Sequence, residues 1–360
     1  MFPRRSARRG CAALGIAMTL TLVGACGGGD GGGGGGGGGG EKDAGPYTIT
    51  VANTSPVLPT YVAAKYGVLT HGEKFDLEMT EEDFLTFDSH SVATQTVLSG
   101  EADVVAGSFV SDLLLIGQGQ EFQAFCPYIS QDDFVIAGAN GVDSIEQLFD
   151  PETRVAMDSP GGAGSVIFDA MLQALGEERT TADMPGQQIL ESSGLRTSAY
   201  AAGDVDATVV HLPQYEESAP QVKDPVVIAS LYEEVPNYLK EVHAAPTAWL
   251  DENTEAAASY CAAVLMGMRE LQEDVEVYKE AVKEYAESED VDEAELEETH
   301  ALITEYGFWP AEDGGLNEET VAFMGEVAVK SGLLEEAPAY EDVVHQKVLD
   351  RALELVEEQS

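Results

Sequence analysis

A glycine-rich loop between two apolar segments is the stretch of this sequence best suited to hold a ligand. An apolar run from Arg154 ends at Asp158, the loop Ser159-Pro-Gly-Gly-Ala-Gly-Ser165 follows, and apolar residues at helical spacing continue to Leu172. A strand, a glycine loop and a helix start present backbone N–H groups to a ligand. The pattern predicts either a cradle for a sulfonate, carboxylate or nitrate, or only a tight turn.

The same loop matches part of a dinucleotide fingerprint at Gly162 and Gly164. Ile167 stands where the third glycine of that fingerprint would be. The match is therefore weak, and no cofactor is expected.

Several polar and aromatic side chains are further candidates for binding. His211 follows the apolar run Ala207–Val210 and would either donate to an anion or be a structural histidine with a partner. Phe109 and Tyr215 would pack against a ligand or in the core. The pair Asp132-Asp133 could hold a cationic amine, but solvated surface is the preferred interpretation. The remaining histidines show no metal-ligand spacing, so no metal is expected: His71, His90, His243, His300 and His345.

The elements that would position these residues occur twice. Each half runs strand, loop, helix, strand, loop, helix, strand. A matching phrase precedes the third strand of each half, Leu98-Ser-Gly100-Glu-Ala-Asp103 in the first and Ala202-Gly203-Asp-Val-Asp206 in the second. A helix-ending glycine that leads into a buried strand explains the phrase. The repetition predicts two related α/β lobes, followed by mostly helical sequence from Thr247.

The N-terminal residues are typical of an export signal. Residues 1–25 combine four arginines with a short apolar run, and Ala25 precedes Cys26 as in a bacterial lipobox. Cleavage before Cys26 and lipidation of its sulfur are expected, rather than a chance cysteine after an ordinary signal. Residues 26–46, nearly all glycine to position 40, would form a flexible tether. The chain is expected on the outer face of the cell membrane or in the periplasm.

Charge and cysteines limit the partners and the compartment. The formal net charge is −47, from 65 acidic and 18 basic residues, which argues against nucleic acid as a partner. With Cys11 in the signal and Cys26 lipidated, Cys126 and Cys261 remain in an oxidising compartment. They would form a disulfide or stay as two buried thiols.

Several phrases, in their order, resemble one family of exported proteins. They are the lipobox, a first strand that leads into a proline-containing loop, the two Gly-x-x-Asp phrases, and three further segments: Tyr61-Val-Ala-Ala-Lys-Tyr-Gly67, Gly325-Glu-Val-Ala-Val-Lys-Ser-Gly332 and Tyr340-Glu-Asp-Val-Val344. Together they are similar to the substrate-binding proteins of ABC transporters, in the nitrate, sulfonate, taurine and thiamine-precursor branch.

The resemblance implies a two-lobed periplasmic-binding-protein fold, type II-like, with two strand crossovers and C-terminal helices on lobe 1. Lobe 1 would comprise residues 47–135 and 231–360, and lobe 2 residues 136–230, with crossings near 131–137 and 226–230. Ligand groups would lie on loops after the strands. Carried onto this chain they are Thr54, Ser55, Pro56, Val57, Ser89, His90, Ser108, Phe109, Ser159, Gly161, Gly162, Gly164, Ser165 and His211.

The function that the resemblance implies is capture of a small solute for an ABC permease and its ATPase. The solute would be nitrate-, sulfonate- or taurine-like, or resemble the thiamine pyrimidine. A monomer, held to the membrane by its lipid and without enzyme activity, is expected. The alternatives are an enzyme of thiamine-pyrimidine synthesis on the same scaffold and a sensor lipoprotein for a membrane kinase.

Overall fold

The computed structural model describes residues 45–53, 59–87, 89–286, 292–310 and 315–359. The expected signal, Cys26 and most of the tether lie outside this part of the chain. So do four of the expected ligand residues: Thr54, Ser55, Pro56 and Val57. Within the described residues, no helix is both long and apolar enough to cross a membrane.

Two five-stranded mixed sheets form the framework. In chain order the strands are β1 (Val51–Asn53), β2 (Phe84–Thr86), β3 (Val104–Ser108), β4 (Phe122–Ile129), β5 (Phe134–Gly138), β6 (Val155–Met157), β7 (Gln187–Ile189), β8 (Ala207–His211), β9 (Val226–Ser230) and β10 (Glu241–Pro246). The first sheet has the order β2-β1-β3-β10-β4 and the second β7-β6-β8-β5-β9. The predicted α/β class is confirmed.

Helices flank both sheets. They are α1 (Val62–His71), α2 (His90–Leu98), α3 (Phe109–Gly117), α4 (Ala163–Ala174), α5 (Ser193–Ala201), α6 (Leu212–Ser218), α7 (Leu231–Glu234), α8 (Thr247–Glu252), α9 (Thr254–Glu273), α10 (Val275–Tyr285), α11 (Glu293–Tyr306), α12 (Glu318–Lys330), α13 (Tyr340–Val343) and α14 (Gln346–Gln359). The centre of α9 is fully buried from Ala257 to Leu265 apart from slight exposure of Ser259, and α1 and α14 pack on it. A disulfide between Cys126 and Cys261 joins β4 to this helix.

The two sheets repeat one plan. In each, three parallel strands are extended by a fourth strand that runs antiparallel to them and by a fifth that runs antiparallel to the fourth. The repeated Gly-x-x-Asp phrase has one role in both: Asp103 accepts a hydrogen bond from the N–H of Thr50 at 2.8 Å, and Asp206 accepts one from the N–H of Arg154 at 3.0 Å. Each carboxylate thus ties the start of one strand to the strand beside it.

The chain passes between the sheets twice. The first crossing (residues 130–133) joins β4 to β5, and the second crossing (residues 231–240) joins β9 to β10. The crossing predicted near 131–137 overlaps the first crossing. The one predicted near 226–230 ends just before the second crossing begins. The C-terminal helix α12 packs against α3 and also against α4 beside the second sheet, so the C-terminal segment contacts both halves.

Three predictions from local sequence patterns were wrong: a first helix over 60–66 that ends at Gly67, a second strand over 75–79 followed by a loop over 84–91, and a helix over 340–356. Gly67 does not end the first helix, because α1 continues to His71 and Gly67 faces α9. Residues 75–79 do not form the second strand, because only Leu77 pairs there, with Tyr47. The second strand is β2, in the segment where a loop was expected. The helix expected over 340–356 breaks at Val344, which pairs with Ala124. Three elements, α6, α7 and β10, were not predicted.

Candidate functional site

Strand register brings polar side chains from both sheets to one region. In the first sheet, the last residue of β3, Ser108, pairs with Glu241 at the start of β10. In the second sheet, the last residue of β8, His211, pairs with Phe134 at the start of β5. Both crossings leave from these same edges. In open α/β sheets, ligands bind outside the carboxyl ends of the parallel strands, so these edges form the candidate site.

The second crossing supplies a lysine and the adjoining β10 a glutamate, neither of which was expected from the sequence. The backbone of Lys240 is fixed by the N–H of Phe109, which donates to the Lys240 carbonyl at 3.0 Å. The Lys240 ammonium donates to Asp132 and lies 5.2 Å from the ring centre of Tyr61. Glu241 is buried and accepts a hydrogen bond from the Tyr61 hydroxyl at 2.7 Å.

The first crossing supplies two carboxylates, and the prediction that they are solvated surface was wrong. Asp132 is 5% exposed, because a four-residue link between two sheets leaves little room for solvent. Asp133 Oδ1 lies 2.5 Å from His211 Nδ1, and Asp132 Oδ1 lies 3.9 Å from it. The ring of His211 also packs on Phe134, with 3.9 Å between ring centres. His211 is thus a partnered histidine that keeps part of its side chain exposed.

A second histidine–carboxylate pair lies in the first half. His90 Nε2, at the start of α2, is 3.1 Å from Asp112 Oδ1 on α3. Asp112 is fully buried, and its other carboxylate oxygen has no hydrogen-bond partner among the described residues. The neighbouring Ser89 hydroxyl lies 3.2 Å from that of Ser91. His90 was expected at the site, whereas Asp112 was not.

These eight side chains are called the junction cluster: Tyr61, His90, Asp112, Asp132, Asp133, His211, Lys240 and Glu241. It contains four carboxylates, one lysine and two histidines. Burial raises the pKa of Glu241, and burial together with Asp132 raises that of Asp133. For Asp132, burial acts in the same direction, but Lys240 and His211 outweigh it and lower the pKa to about 2. In composition the cluster is acidic, because its carboxylates outnumber its lysine and histidines.

Protonation of the two histidines is favoured by their acidic neighbours. Burial lowers the pKa of His211, but Asp133 and Asp132 outweigh it, and the pKa is raised. Burial likewise opposes the charge on His90, and Asp112 outweighs it, so that pKa is raised too. Both shifts have the cause expected for a group with an adjacent opposite charge.

Two N–H groups of the glycine-rich loop donate hydrogen bonds to the carboxylate of Asp158. Asp158 accepts hydrogen bonds from the N–H of Ser159 at 2.7 Å and of Gly164 at 3.2 Å. A Cβ on Gly162 would lie 2.5 Å from this carboxylate, and the Ser165 hydroxyl donates to the Asp158 carbonyl at 2.9 Å. Gly161 has a φ of +80° and faces Leu333 instead. Asp158 thus stabilises the turn, while the anion cradle stays a prediction.

Two further expected residues are also used by the fold. The Phe109 ring has no exposed surface and lies in the core. The Ser108 hydroxyl accepts a hydrogen bond from the N–H of Ser111 at 3.4 Å, which caps α3. Of the expected residues that the structure describes, His90 and His211 are the two that join the junction cluster.

One buried arginine beneath the glycine-rich loop was missed. Arg196 is 2% exposed and donates to the carbonyls of Val209 at 2.9 Å and Leu190 at 3.0 Å. It ties the ends of β7 and β8 together, and its charge faces Asp158. The sequence pattern predicts this helix only from Thr197, whereas α5 begins at Ser193, so Arg196 was not identified as a helix residue.

The comparisons with known proteins concern the fold. No protein-family model and no curated protein sequence matches the chain. A periplasmic sulfonate-binding protein SsuA from Methylobacillus flagellatus KT superposes with a TM-score of 0.65 at 16% identity, covering 86% of this chain and 95% of that one. The periplasmic nitrate-binding protein NrtA from Synechocystis PCC 6803 gives 0.57 at 14% identity, over 86% and 89%.

A third similar structure is the ligand-binding component of an ABC-type import system from Staphylococcus aureus with zinc bound. Its TM-score is 0.60 at 14% identity, over 85% of this chain and 98% of that one. All three cover most of both chains, and the sheets and crossings described above account for the likeness. The chain has the periplasmic-binding-protein fold.

Proposed function

We propose that the protein is the solute-binding component of an ABC importer. The observation that carries this proposal is the junction cluster, in which both sheets and both crossings contribute polar side chains to one place. A solute held there would contact both halves at once, and contacts made only in a closed form shift such a molecule toward closure. Two of the similar structures are binding components of ABC transport systems, which supports the proposal.

The solute that this cluster suits best carries a basic nitrogen. The cluster combines four carboxylates with one lysine and two histidines. Asp133 and His211 keep part of their side chains exposed. Two N–H groups of the glycine-rich loop, those of Ser159 and Gly164, are already bonded to Asp158. Of the solutes considered, nitrate and alkanesulfonates would face more carboxylates than cations, even with both histidines protonated. An amine or an aminopyrimidine would instead donate charge-assisted hydrogen bonds.

A thermal-shift panel tests the ligand class. It contains nitrate, bicarbonate, alkanesulfonates, taurine, aminopyrimidines and amines. A solute at 100 times its Kd should stabilise the protein by about 2.7 kcal/mol, and we expect this from an amine or aminopyrimidine. Stabilisation by nitrate or an alkanesulfonate would overturn the ligand class. Silence across the panel, with folded protein, would count against a receptor for any of these solutes.

A matched pair of variants then locates the site. Asp133→Asn keeps the shape of the side chain and removes its charge, so the affinity for the amine should fall by about 30-fold or more, as when one partner of a buried charge pair is lost. Asp143→Asn removes the same charge from an exposed position away from the cluster and should leave the affinity unchanged. Equal affinities in both variants would remove Asp133 from the site.

The alternatives differ in what happens after binding. An enzyme of thiamine-pyrimidine synthesis would consume its substrate, whereas a receptor returns the solute unchanged, which mass spectrometry of the recovered solute distinguishes. A sensor shares the binding step and differs only in its partner. Export and anchoring through Cys26 belong to the proposal, and extraction of the protein from membranes without detergent would contradict them.

A further inference from the structure

We propose that Asp132, Asp133 and His211 bind one divalent transition-metal ion. Each residue offers one ligand atom, and the three atoms lie within 4.8 Å of one another. Two carboxylate oxygens and one imidazole nitrogen are ligands that zinc and related ions accept. No sequence pattern indicates this site, because His211 lies 78 residues from Asp133 and meets it only through the pairing of β5 with β8.

The three ligands are already held in place by their neighbours. Asp132 Oδ1 accepts a hydrogen bond from the N–H of Asp133 at 2.9 Å, and its other oxygen accepts one from Lys240. The Asp133 carbonyl accepts a hydrogen bond from the N–H of Leu212 at 2.9 Å, and His211 packs on Phe134. A site whose ligands are fixed before the ion arrives loses little conformational entropy on binding.

The distances require a small adjustment. Ligand bonds of 2.0–2.2 Å in a tetrahedron place the ligand atoms about 3.3 Å apart. His211 Nδ1 is 2.5 Å from Asp133 Oδ1 and 3.9 Å from Asp132 Oδ1. The first pair would have to separate and the second to close, each by less than about 1 Å on that geometry. Rotation of the half-exposed His211 side chain supplies such a movement.

Charge and exposure both suit an ion with an open coordination position. The junction cluster holds four carboxylates and only one lysine, so a divalent cation would offset the excess negative charge. The exposed fractions of the side chains are 31% for His211, 21% for Asp133 and 7% for Asp132. The open side is therefore toward solvent, where water or a neutral nitrogen of an aminopyrimidine could complete the coordination, whereas a protonated amine would compete with the ion for Asp133.

The test measures the ion alone, so it can fail or succeed independently of the proposed solute. The chelator-stripped protein is titrated with Zn²⁺ in 0.5 M NaCl and excess Mg²⁺, which suppress weak binding by the acidic surface. We expect one equivalent to bind. Co²⁺ should give a visible absorption spectrum typical of a site that contains a nitrogen ligand. Failure to bind one equivalent would overturn the proposal.

Variants decide whether the ion uses these residues. His211→Gln can keep a hydrogen bond to Asp133 but is a poor metal ligand, and it should weaken Zn²⁺ binding by about 100-fold or more, at least as much as loss of an outer-shell partner. His300→Gln, on α11 and bonded to the Leu271 carbonyl, is the matched control and should bind as the unaltered protein does. Circular dichroism without metal checks folding, and Asp133→Asn provides a second ligand variant. Undiminished binding in both ligand variants would place the ion elsewhere.

Discussion

At the scale of single residues, His243 shows how burial without a partner determines protonation. The residue is fully buried in β10, and neither ring nitrogen meets a hydrogen-bond partner among the described residues. Its ring packs against Tyr128 and Tyr260, with ring centres 4.7 and 5.2 Å away. Burial lowers the pKa of His243 from 6.5 to about 3. The ring is therefore neutral in the folded protein.

This shift predicts sensitivity to acid. As the pH falls from 6.5 toward 3, the unfolded chain binds a proton at this position and the folded chain does not, so stability is lost at up to about 1.4 kcal/mol per pH unit. His243→Phe removes this contribution, and its free energy of unfolding should fall less steeply over this range than that of the unaltered protein. Urea denaturation at several pH values measures both slopes. If stability fell with pH as steeply in both His243→Phe and His243→Leu as in the unaltered protein, the prediction would be contradicted.

The junction residues show what a sequence can and cannot reveal at this scale. His90 and His211 were expected because the family resemblance places ligand groups on the loops that follow strands. Lys240 and Glu241 were not, because β10 is a short central strand with buried residues on both faces and so has no alternating pattern. Asp133 was assigned to the surface because acid pairs are common in a chain with 65 acidic residues, although the predicted crossing near 131–137 already included it. Burial of charge here is a tertiary effect.

At the scale of elements, two glycines allow α1 and α9 to pack closely. A Cβ on Gly67 would lie 2.4 Å from the Ala263 carbonyl oxygen, and one on Gly267 would lie 2.5 Å from the Gly67 Cα. Sequence alone favoured a helix end at Gly67, since glycine commonly follows a helix. The helix continues because the close contact with α9 requires an absent side chain, and that requirement is visible only in the packed structure.

Gly267→Ala should therefore destabilise the protein. Alanine favours a helix by about 1 kcal/mol over glycine, but the clash with the backbone of α1 should outweigh this and give a net loss of about 1–3 kcal/mol. Gly194→Ala in α5 is the matched control, because a Cβ there meets no atom within 4 Å, and it should stabilise the protein slightly. Chemical denaturation compares them, and a gain of stability in both variants would contradict the account of this contact.

At the scale of the whole molecule, the chain has 65 acidic and only 18 basic residues. This imbalance predicts that thermal stability depends strongly on salt concentration. Repulsion between like charges opposes the compact state, and the screening length falls from about 30 Å at 0.01 M salt to about 3 Å at 1 M. The Tm should rise with NaCl and level off as screening becomes complete. A Tm that does not change between these concentrations, or that rises linearly without levelling, would argue against charge repulsion as the cause.

The overall architecture was the part most accessible from sequence. The repeated phrases at Asp103 and Asp206 predicted two related halves, and both carboxylates perform the same task in the structure. Such contacts are local to one sheet and leave a local pattern. The nature of the solute depends on how the edges of two sheets face each other, and the sequence does not show that two N–H groups of the glycine-rich loop bond to Asp158.

The central claim is that a solute with a basic nitrogen binds between the two sheets, at the junction cluster. A crystal structure of the protein with the amine or aminopyrimidine that stabilises it most tests this directly. We predict that a nitrogen of the solute lies within about 3 Å of a carboxylate oxygen of Asp133 or Glu241, the usual hydrogen-bond distance, with residues of both sheets in contact. A solute bound away from both crossings, or an anion held by the N–H groups of Ser159 and Gly164, would contradict the claim.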